Sequence, residues 1–142
     1  MKLLVINGPN LNMLGIREPD IYGFSTYNDL VDYINTVCSK NDIQGEIYQS
    51  NHEGAIIDKI QSAYKVFDGI VINPAAYTHT SLAIADAIKS VGIPTIEVHI
   101  SDISKRESFR QFSYTSMVCI KTIMGKGFLG YEEAITELKN II

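Results

Sequence analysis

Short apolar runs alternate with segments of helical periodicity along this chain, and this alternation constrains the fold more than any other feature. Continuous apolar runs at Leu3–Ile6 and Ile70–Ile72 are typical of strands buried on both faces of a parallel sheet. The stretches Thr95–Ile100 and Ser116–Ile123, rich in β-branched residues, predict two further strands, and Glu46–Gln49 predicts a weaker one. Apolar residues at helical spacing predict helices around Leu30 to Cys38, Ile56 to Tyr64, Ile84 to Val91 and Ala134 to Ile141.

We interpret this order as a β-α unit repeated five times, which predicts an α/β fold with a doubly wound, five-stranded parallel sheet. Five units in this length favour the flavodoxin-like strand order. The 142 residues suffice for one domain with its own core, so we expect a single domain over residues 1–142. Ligands of such sheets bind beyond the carboxyl ends of the strands, and candidate functional residues are expected there.

Charge and cysteine content exclude several classes of function. The chain has 16 acidic and 12 basic residues and a net charge of −4, which argues against a nucleic-acid partner. Cys38 and Cys119 show no metal-binding or disulfide spacing, as is usual in a reducing compartment. No apolar stretch has membrane-spanning length, and the short N-terminal apolar run lacks the features of a signal peptide. We therefore expect a cytoplasmic protein with no membrane partner.

One connection, over residues 8–25, is far longer than the usual βα loop of about 2 to 6 residues. Its glycines and prolines favour turns and hinges, so we expect an active-site lid. Arg17 and Tyr22 lie on this loop. A guanidinium near a phenol favours the phenolate and makes the tyrosine a better base. The alternative is that Tyr22 only packs and Arg17 is a solvated charge.

The predicted strand ends carry polar but nearly uncharged residues, among them Asn7, Asn10 and Asn73. A phosphoryl-accepting receiver domain needs acidic residues at the first and third strand ends, and here both positions are asparagine. A flavodoxin needs a phosphate-binding loop rich in Ser, Thr and Gly after the first strand, which this sequence lacks. No lysine falls at the first, third or fourth strand end, so imine chemistry has no candidate nucleophile.

His99 and Glu97 end the predicted fourth strand and, two residues apart, point to the same face. We interpret Glu97 as the acceptor that orients the imidazole of His99 toward a substrate. The alternatives are a structural histidine, or metal ligation by His79, His99 and Glu97, whose spacing matches no standard metal motif. A triad of Ser81, His79 and Asp86 is a further alternative, but no nucleophile elbow accompanies it.

A candidate anion site follows His99. The backbone N–H groups of Ile100 and Ser101 precede a predicted short helix and suit a carboxylate. Ser104 and Glu107 have the spacing of a capping box that begins this helix. Arg106 and Arg110, four residues apart, are predicted to share one helix face.

The chain closely resembles one family over essentially its whole length, the type II 3-dehydroquinate dehydratases of the shikimate pathway. The matching segments, ordered and specific, are Asn7–Pro19, Ile21–Gly23, Gln49–Gly54, Ile72–Ser81, Glu97–Ser101 and Arg106–Arg110. The resemblance implies trans elimination of water from 3-dehydroquinate through an enolate, giving 3-dehydroshikimate without metal or cofactor. Tyr22 is then the base, made more acidic by Arg17, and Asn10 holds a water that stabilises the enolate oxygen.

The same resemblance assigns the remaining residues. His99 is the acid that protonates the departing hydroxyl, and Glu97 and Asn73 hold it. Ile100 and Ser101 bind the substrate carboxylate through their backbone. The family also implies a homododecamer, a tetramer of trimers. In addition, His79 and Arg110 bind ring hydroxyls of the substrate. Asp86 reaches into the site of a neighbouring subunit. Arg106 matches the motif, but the resemblance gives it a less defined role.

Asp102 departs from the family pattern, which often has asparagine there, but we expect little effect because the family uses the backbone of that turn. The alternative to an enzyme is a flavodoxin-like binding or scaffold protein that has a ligand pocket but no turnover.

Overall fold

A computed structural model of the chain describes residues 1–16, 20 and 24–142. Arg17 and Tyr22 lie outside the described residues. The strands are β1 (Lys2–Asn7), β2 (Gln44–Gln49), β3 (Gly69–Asn73), β4 (Thr95–His99) and β5 (Lys121–Met124). The α-helices are α1 (Tyr27–Lys40), α2 (Glu53–Ser62), α3 (Leu82–Val91) and α4 (Leu129–Ile141).

The five strands form one parallel sheet in the order β2-β1-β3-β4-β5, which confirms the predicted flavodoxin-like arrangement. β1 has the edge strand β2 on one side and β3, followed by β4 and β5, on the other. The strand order therefore reverses between β1 and β3. Their register pairs Asn7 with Asn73, so two amide side chains end neighbouring strands at this reversal point.

Alternate residues of β1 enter two separate cores, one on each face of the sheet. Leu3 and Val5 pack with α1 and α4, whereas Leu4 and Ile6 pack with α2 and α3. All four side chains are fully buried. This is the physical reason for a continuous apolar run, because a strand covered by helices on both faces has no solvent-facing side.

The prediction for the connection between β4 and β5 was wrong. The predicted fifth strand, Ser116–Ile123, is instead a 3-10 turn at Thr115–Met117 followed by β5 at Lys121–Met124. No α-helix lies within residues 100–120, so the chain does not repeat the β-α unit five times. Short polar side chains in this connection form hydrogen bonds with nearby backbone groups. Ser113 Oγ, for example, accepts the N–H of Ser116 at 3.0 Å. Such bonds compete with the backbone hydrogen bonds of helices and strands.

The predicted capping box in this connection is also wrong. Asp102, rather than Ser104, caps the turn Ile103–Lys105, because its Oδ1 accepts the N–H of Ser104 at 3.0 Å. A second 3-10 turn, Ser108–Arg110, has no side-chain cap. Arg106 lies between the two turns in extended backbone, so it does not share a helix with Arg110.

The ends of β1 and β3 approach each other closely just beyond the sheet. The N–H of Gly8 donates to the carbonyl of Asn73 at 2.8 Å. A Cβ atom at position 8 would lie 2.4 Å from the carbonyl oxygen of Pro74, closer than real Cβ atoms come, so this crossing requires glycine.

Across the described residues, no helix has the length and apolar character to span a bilayer.

Candidate active site

A cleft, partly open to solvent, lies at the carboxyl edge of the sheet. The turns that follow β1, β3 and β4 form its walls. Its lining residues are Pro9, Asn10, Leu11, Asn73, Ala75, Ala76, His79, His99, Ile100, Ser101, Ile103, Arg106 and Arg110.

The cleft brings together most of the residues that the sequence singled out, from four separate parts of the chain. Glu97 is fully buried behind His99 and does not line the cleft. Asp86 lies exposed on α3, away from the cleft of its own chain. The walls of the cleft therefore consist of described residues, whereas Arg17 and Tyr22 of the long loop lie outside them.

Glu97 and His99 point to the same face of β4, and their side chains are in contact. His99 Nε2 lies 2.9 Å from Glu97 Oε1, and the imidazole is 5% exposed while Glu97 is fully buried. The contact leaves Nδ1 as the ring nitrogen available to the cleft. This is the predicted arrangement of a carboxylate that orients a histidine.

Four hydroxyl groups surround the buried carboxylate, and we call them the hydroxyl cage: Thr78, Ser113, Thr115 and Thr122. Oε1 accepts from Thr78, from Ser113 at 2.9 Å and from Thr115 at 2.5 Å, and Oε2 accepts from Thr122 at 3.0 Å. Sequence reasoning missed all four residues. The signal was indirect, since a carboxylate inside an apolar strand must have several donors, but nothing in the sequence names them.

The hydroxyl cage and His99 determine the charge of Glu97. Burial alone raises the pKa of a carboxyl group because it removes water from the ion. Here the hydrogen bond and positive charge of His99, with the hydroxyls of Thr115 and Thr78, outweigh burial and lower the pKa of Glu97 to about 2. Glu97 is therefore a permanent anion at neutral pH.

Asn73 makes contacts different from those the resemblance implied. Its Nδ2 donates to the hydroxyl of Tyr131 at 2.9 Å, and its Oδ1 accepts the N–H of Ala75 at 3.1 Å. Tyr131, fully buried in α4, donates in turn to Asn7 Oδ1 at 2.7 Å. The side chain of Asn73 thus shapes the turn after β3 rather than holding His99. Burial raises the pKa of Tyr131, so the phenol stays neutral and can donate.

Two residues with positive φ hold the cleft turns in place. Asn10 has a φ of 69°, and its backbone N–H donates to Asn51 Oδ1 at 3.0 Å. Ala75 has a φ of 52°, a conformation that L residues rarely adopt. The hydrogen bond to Asn73 stabilises the strained turn that carries Ala75 into the cleft wall.

The other wall offers donors for an anion. The carbonyls of Ile100 and Ser101 accept from Gly127 at 3.1 Å and Gly125 at 3.2 Å, which fixes the turn. Among the loop hydrogen bonds of the described residues, the N–H groups of Ile100 and Ser101 have no acceptor. Their position beside the cleft suits a carboxylate, and the carboxylate site stays a prediction.

Arg106 and Arg110 line the same wall. Arg106 Nη1 donates to Ser101 Oγ at 3.4 Å. Arg110 Nε lies 2.9 Å from Glu107 Oε2, but its N–H does not point at that oxygen, so the ion pair lacks a directed hydrogen bond. Asp102 does not line the cleft, and its carboxylate bonds to Ser104. The carboxylate of Asp102, the residue that departs from the family pattern, thus caps a turn.

Metal chemistry has no candidate site in the described part of the chain, where no group of three or more His, Cys, Asp or Glu side chains is placed to hold an ion. The predicted metal alternative for His79, His99 and Glu97 is not supported by this geometry. His79 instead directs Nδ1 at the carbonyl of Phe112, at 2.7 Å.

Comparison with known proteins gives a match to the family model described as dehydroquinase class II, over residues 1–139. The chain belongs to the class II dehydroquinase family. The 3-dehydroquinate dehydratase of Clostridium acetobutylicum is 58% identical over 142 residues, covering 100% of this chain and 99% of that protein. That of Fusobacterium nucleatum is 56% identical over 141 residues, covering 97% and 96%.

Solved structures agree with this family assignment. The type II dehydroquinase of Butyrivibrio crossotus superposes with a TM-score of 0.96 at 60% identity, covering 98% of this chain and 97% of that one. A 3-dehydroquinate dehydratase-like protein from Bifidobacterium longum has a TM-score of 0.74 at 29% identity, covering 99% and 97%. The class II dehydroquinase fold is therefore shared over the whole domain.

Proposed function

We propose that this class II dehydroquinase is a 3-dehydroquinate dehydratase, a hydro-lyase that removes water from 3-dehydroquinate in the shikimate pathway. The observation that carries the proposal is His99, held by a buried anion at the mouth of a cleft that also offers donors for a carboxylate. The relatives that carry the same name match essentially the full length of the chain.

The first step is removal of the proton next to the ketone. Tyr22 is its base, as a phenolate stabilised by Arg17, and the electron pair of the C–H bond moves to the ketone oxygen to form an enolate. Asn10, at the cleft wall, holds a water that donates to this oxygen. Both loop side chains are proposed on the strength of the family motif that contains them.

The second step expels the hydroxyl group. The enolate electrons form the new carbon-carbon double bond as the C–O bond breaks, and His99 gives its proton to the departing oxygen, so that water leaves. Nδ1 is the donor, because Nε2 is engaged with Glu97. The carboxylate of Glu97 balances the charge of the imidazolium, which avoids an unpaired buried cation.

The substrate is held by its polar groups. The backbone of Ile100 and Ser101 binds the ring carboxylate, and His79 and Arg110 bind ring hydroxyls. Asn73 contributes through the turn that it stabilises. Arg106 adds positive charge to the cleft wall at which the substrate carboxylate binds.

The wider assembly is part of the same proposal. The loop over residues 8–25 is the lid that brings the base to the cleft. The chain forms a dodecamer, a tetramer of trimers, in which Asp86 contacts the site of a neighbouring subunit, and the exposure of Asp86 in the single chain leaves it available for that. We place the enzyme in the cytoplasm and assign it no cofactor.

Addition of 3-dehydroquinate to the protein, followed by the absorbance of the conjugated enone product, tests the proposal. Turnover is expected, and Tyr22→Phe should lower kcat while substrate binding is largely kept. Tyr64→Phe is the matched control, because Tyr64 is 55% exposed and does not line the cleft. A flat trace with folded protein would favour the scaffold alternative.

The enolate route is separable from imine chemistry by a second measurement. Borohydride added with substrate should leave the enzyme active and its lysines unmodified. A reduced covalent adduct on a lysine, found by mass spectrometry, would contradict the route.

A further inference from the structure

One short segment, Phe112 to Thr115, bonds directly to the imidazole of His79 and to Glu97, the carboxylate that holds the imidazole of His99. It also packs directly against the turn that carries His79, since the N–H of Tyr114 donates to the Thr78 carbonyl at 2.8 Å. Ser113 and Thr115 are buried. This segment is far from both histidines in sequence, and none of the mechanistic roles above includes it.

The contact with His79 fixes which ring nitrogen carries a proton. Nδ1 of His79 lies 2.7 Å from the carbonyl oxygen of Phe112. A backbone carbonyl can only accept, so this hydrogen bond exists when Nδ1 is protonated. The neutral ring then presents an unprotonated Nε2 to the cleft, which accepts a hydrogen bond from a ligand hydroxyl.

The contacts with Glu97 fix the opposite nitrogen on His99. Ser113 Oγ accepts the N–H of Ser116 at 3.0 Å, so its own proton is directed to another acceptor. Ser113, Thr115 and Thr78 lie within 3.1 Å of one another around Glu97 Oε1. An oxygen surrounded by donors of this kind is held as an ionised acceptor. The bond to His99 Nε2 therefore requires a proton on Nε2.

We propose that the segment from Phe112 to Thr115 is a positioning element that imposes opposite tautomers on the two imidazoles, Nδ1–H on His79 and Nε2–H on His99. His79 then faces the cleft as an acceptor, and His99 faces it with the nitrogen that takes up and releases the catalytic proton. The significance for turnover rests on the proposed dehydratase function, whereas the tautomers do not.

The tautomers are measurable without any assay of activity. The chain has three histidines, so ¹⁵N-labelled rings give three sets of two-bond couplings, which single His→Gln variants assign. At alkaline pH, where each ring carries one proton, His79 should show the Nδ1–H pattern and His99 the Nε2–H pattern. The same tautomer on both rings, or a mixture of tautomers on either ring in the wild type, would overturn the proposal.

Variants of the segment test its role directly. Ser113→Ala with Thr115→Val removes two hydroxyls at nearly constant shape, and kcat should fall about 10-fold or more with KM changed less than about 2-fold. The His99 ring should then show a mixture of tautomers. Thr115→Ser keeps the hydroxyl and should retain most of the wild-type kcat.

Thr95→Val is the matched control for loss of a buried hydroxyl on the same strand as His99. Thr95 is 2% exposed and bonds to the carbonyl of Ile93 at 2.8 Å, at the opposite end of β4. It should leave kcat and both ring spectra unchanged. If the double variant does not fold, Ser113→Ala alone, which removes one donor to Glu97 Oε1, should shift the His99 ring spectrum in the same direction.

The failures of the two proposals are distinguishable. A wild type with the stated tautomers but no turnover contradicts the dehydratase function alone. A wild type that turns over, with a double variant whose kcat and His99 spectrum are those of the wild type, contradicts the positioning element alone.

Discussion

Acidification should weaken the fold through a single buried carboxylate. The pKa of Glu97 is about 2 against an ordinary 4.5, so the folded state binds this proton more weakly than the unfolded chain does. A group of this sign contributes stability above the unfolded pKa and loses it as the pH falls toward the folded pKa. At about 1.4 kcal/mol per pKa unit, the contribution is about 3 kcal/mol at neutral pH, of which about 2 kcal/mol is lost by pH 3.

Urea unfolding at fixed protein concentration, followed by far-UV circular dichroism at pH 7, 5, 4 and 3, measures this effect. Glu97→Gln is the reference, because it keeps the shape of the side chain but cannot titrate. Asp102 and Glu133, whose pKa values are also lowered, are present in both proteins and cancel. The wild type minus Glu97→Gln difference in unfolding free energy should shrink by about 2 kcal/mol between pH 7 and pH 3. A difference that stays constant over this range would refute the reasoning.

Two further substitutions test the packing behind the cleft. Tyr131→Phe removes a buried hydroxyl shared by two asparagine amides and should lower the free energy of unfolding by about 2 kcal/mol. Tyr33→Phe should lower it less, because the Tyr33 hydroxyl lies in a half-buried contact. Equal urea midpoints for the two variants would contradict this. Gly8→Ala should lower the free energy of unfolding by about 2 kcal/mol or more, because the new methyl group meets the Pro74 carbonyl. Gly54→Ala is the control and should not destabilise the fold, because the space around Gly54 is open. A wild-type thermal midpoint for Gly8→Ala would show that the strand ends can separate freely.

The sheet was predictable because its signals are local. The apolar runs of β1 and β3 exist only where both faces of a strand are covered, and helical periods marked the four α-helices. The connection from β4 to β5 was not predictable in the same way. Thr115 has the β propensity of a strand residue, but its hydroxyl is used to solvate a buried carboxylate, and this tertiary contact overrides propensity.

The site was predictable as far as its motifs reach. The contact between Glu97 and His99 follows from the two-residue period of a strand, and the structure shows it. The hydroxyl cage and Tyr131 were not predictable, since their partners are 16 or more residues away in sequence. Nor did the sequence show that Asn73 bonds to Tyr131 instead of supporting His99.

The cleft draws its walls from residues 9–11, 73–79, 99–103 and 106–110, which meet only when β1, β3 and β4 are aligned. A partly assembled chain therefore holds secondary structure without any catalytic constellation. During refolding from urea, regained turnover should lag behind regained ellipticity, and the size of that delay reports how late the long-range strand pairings form.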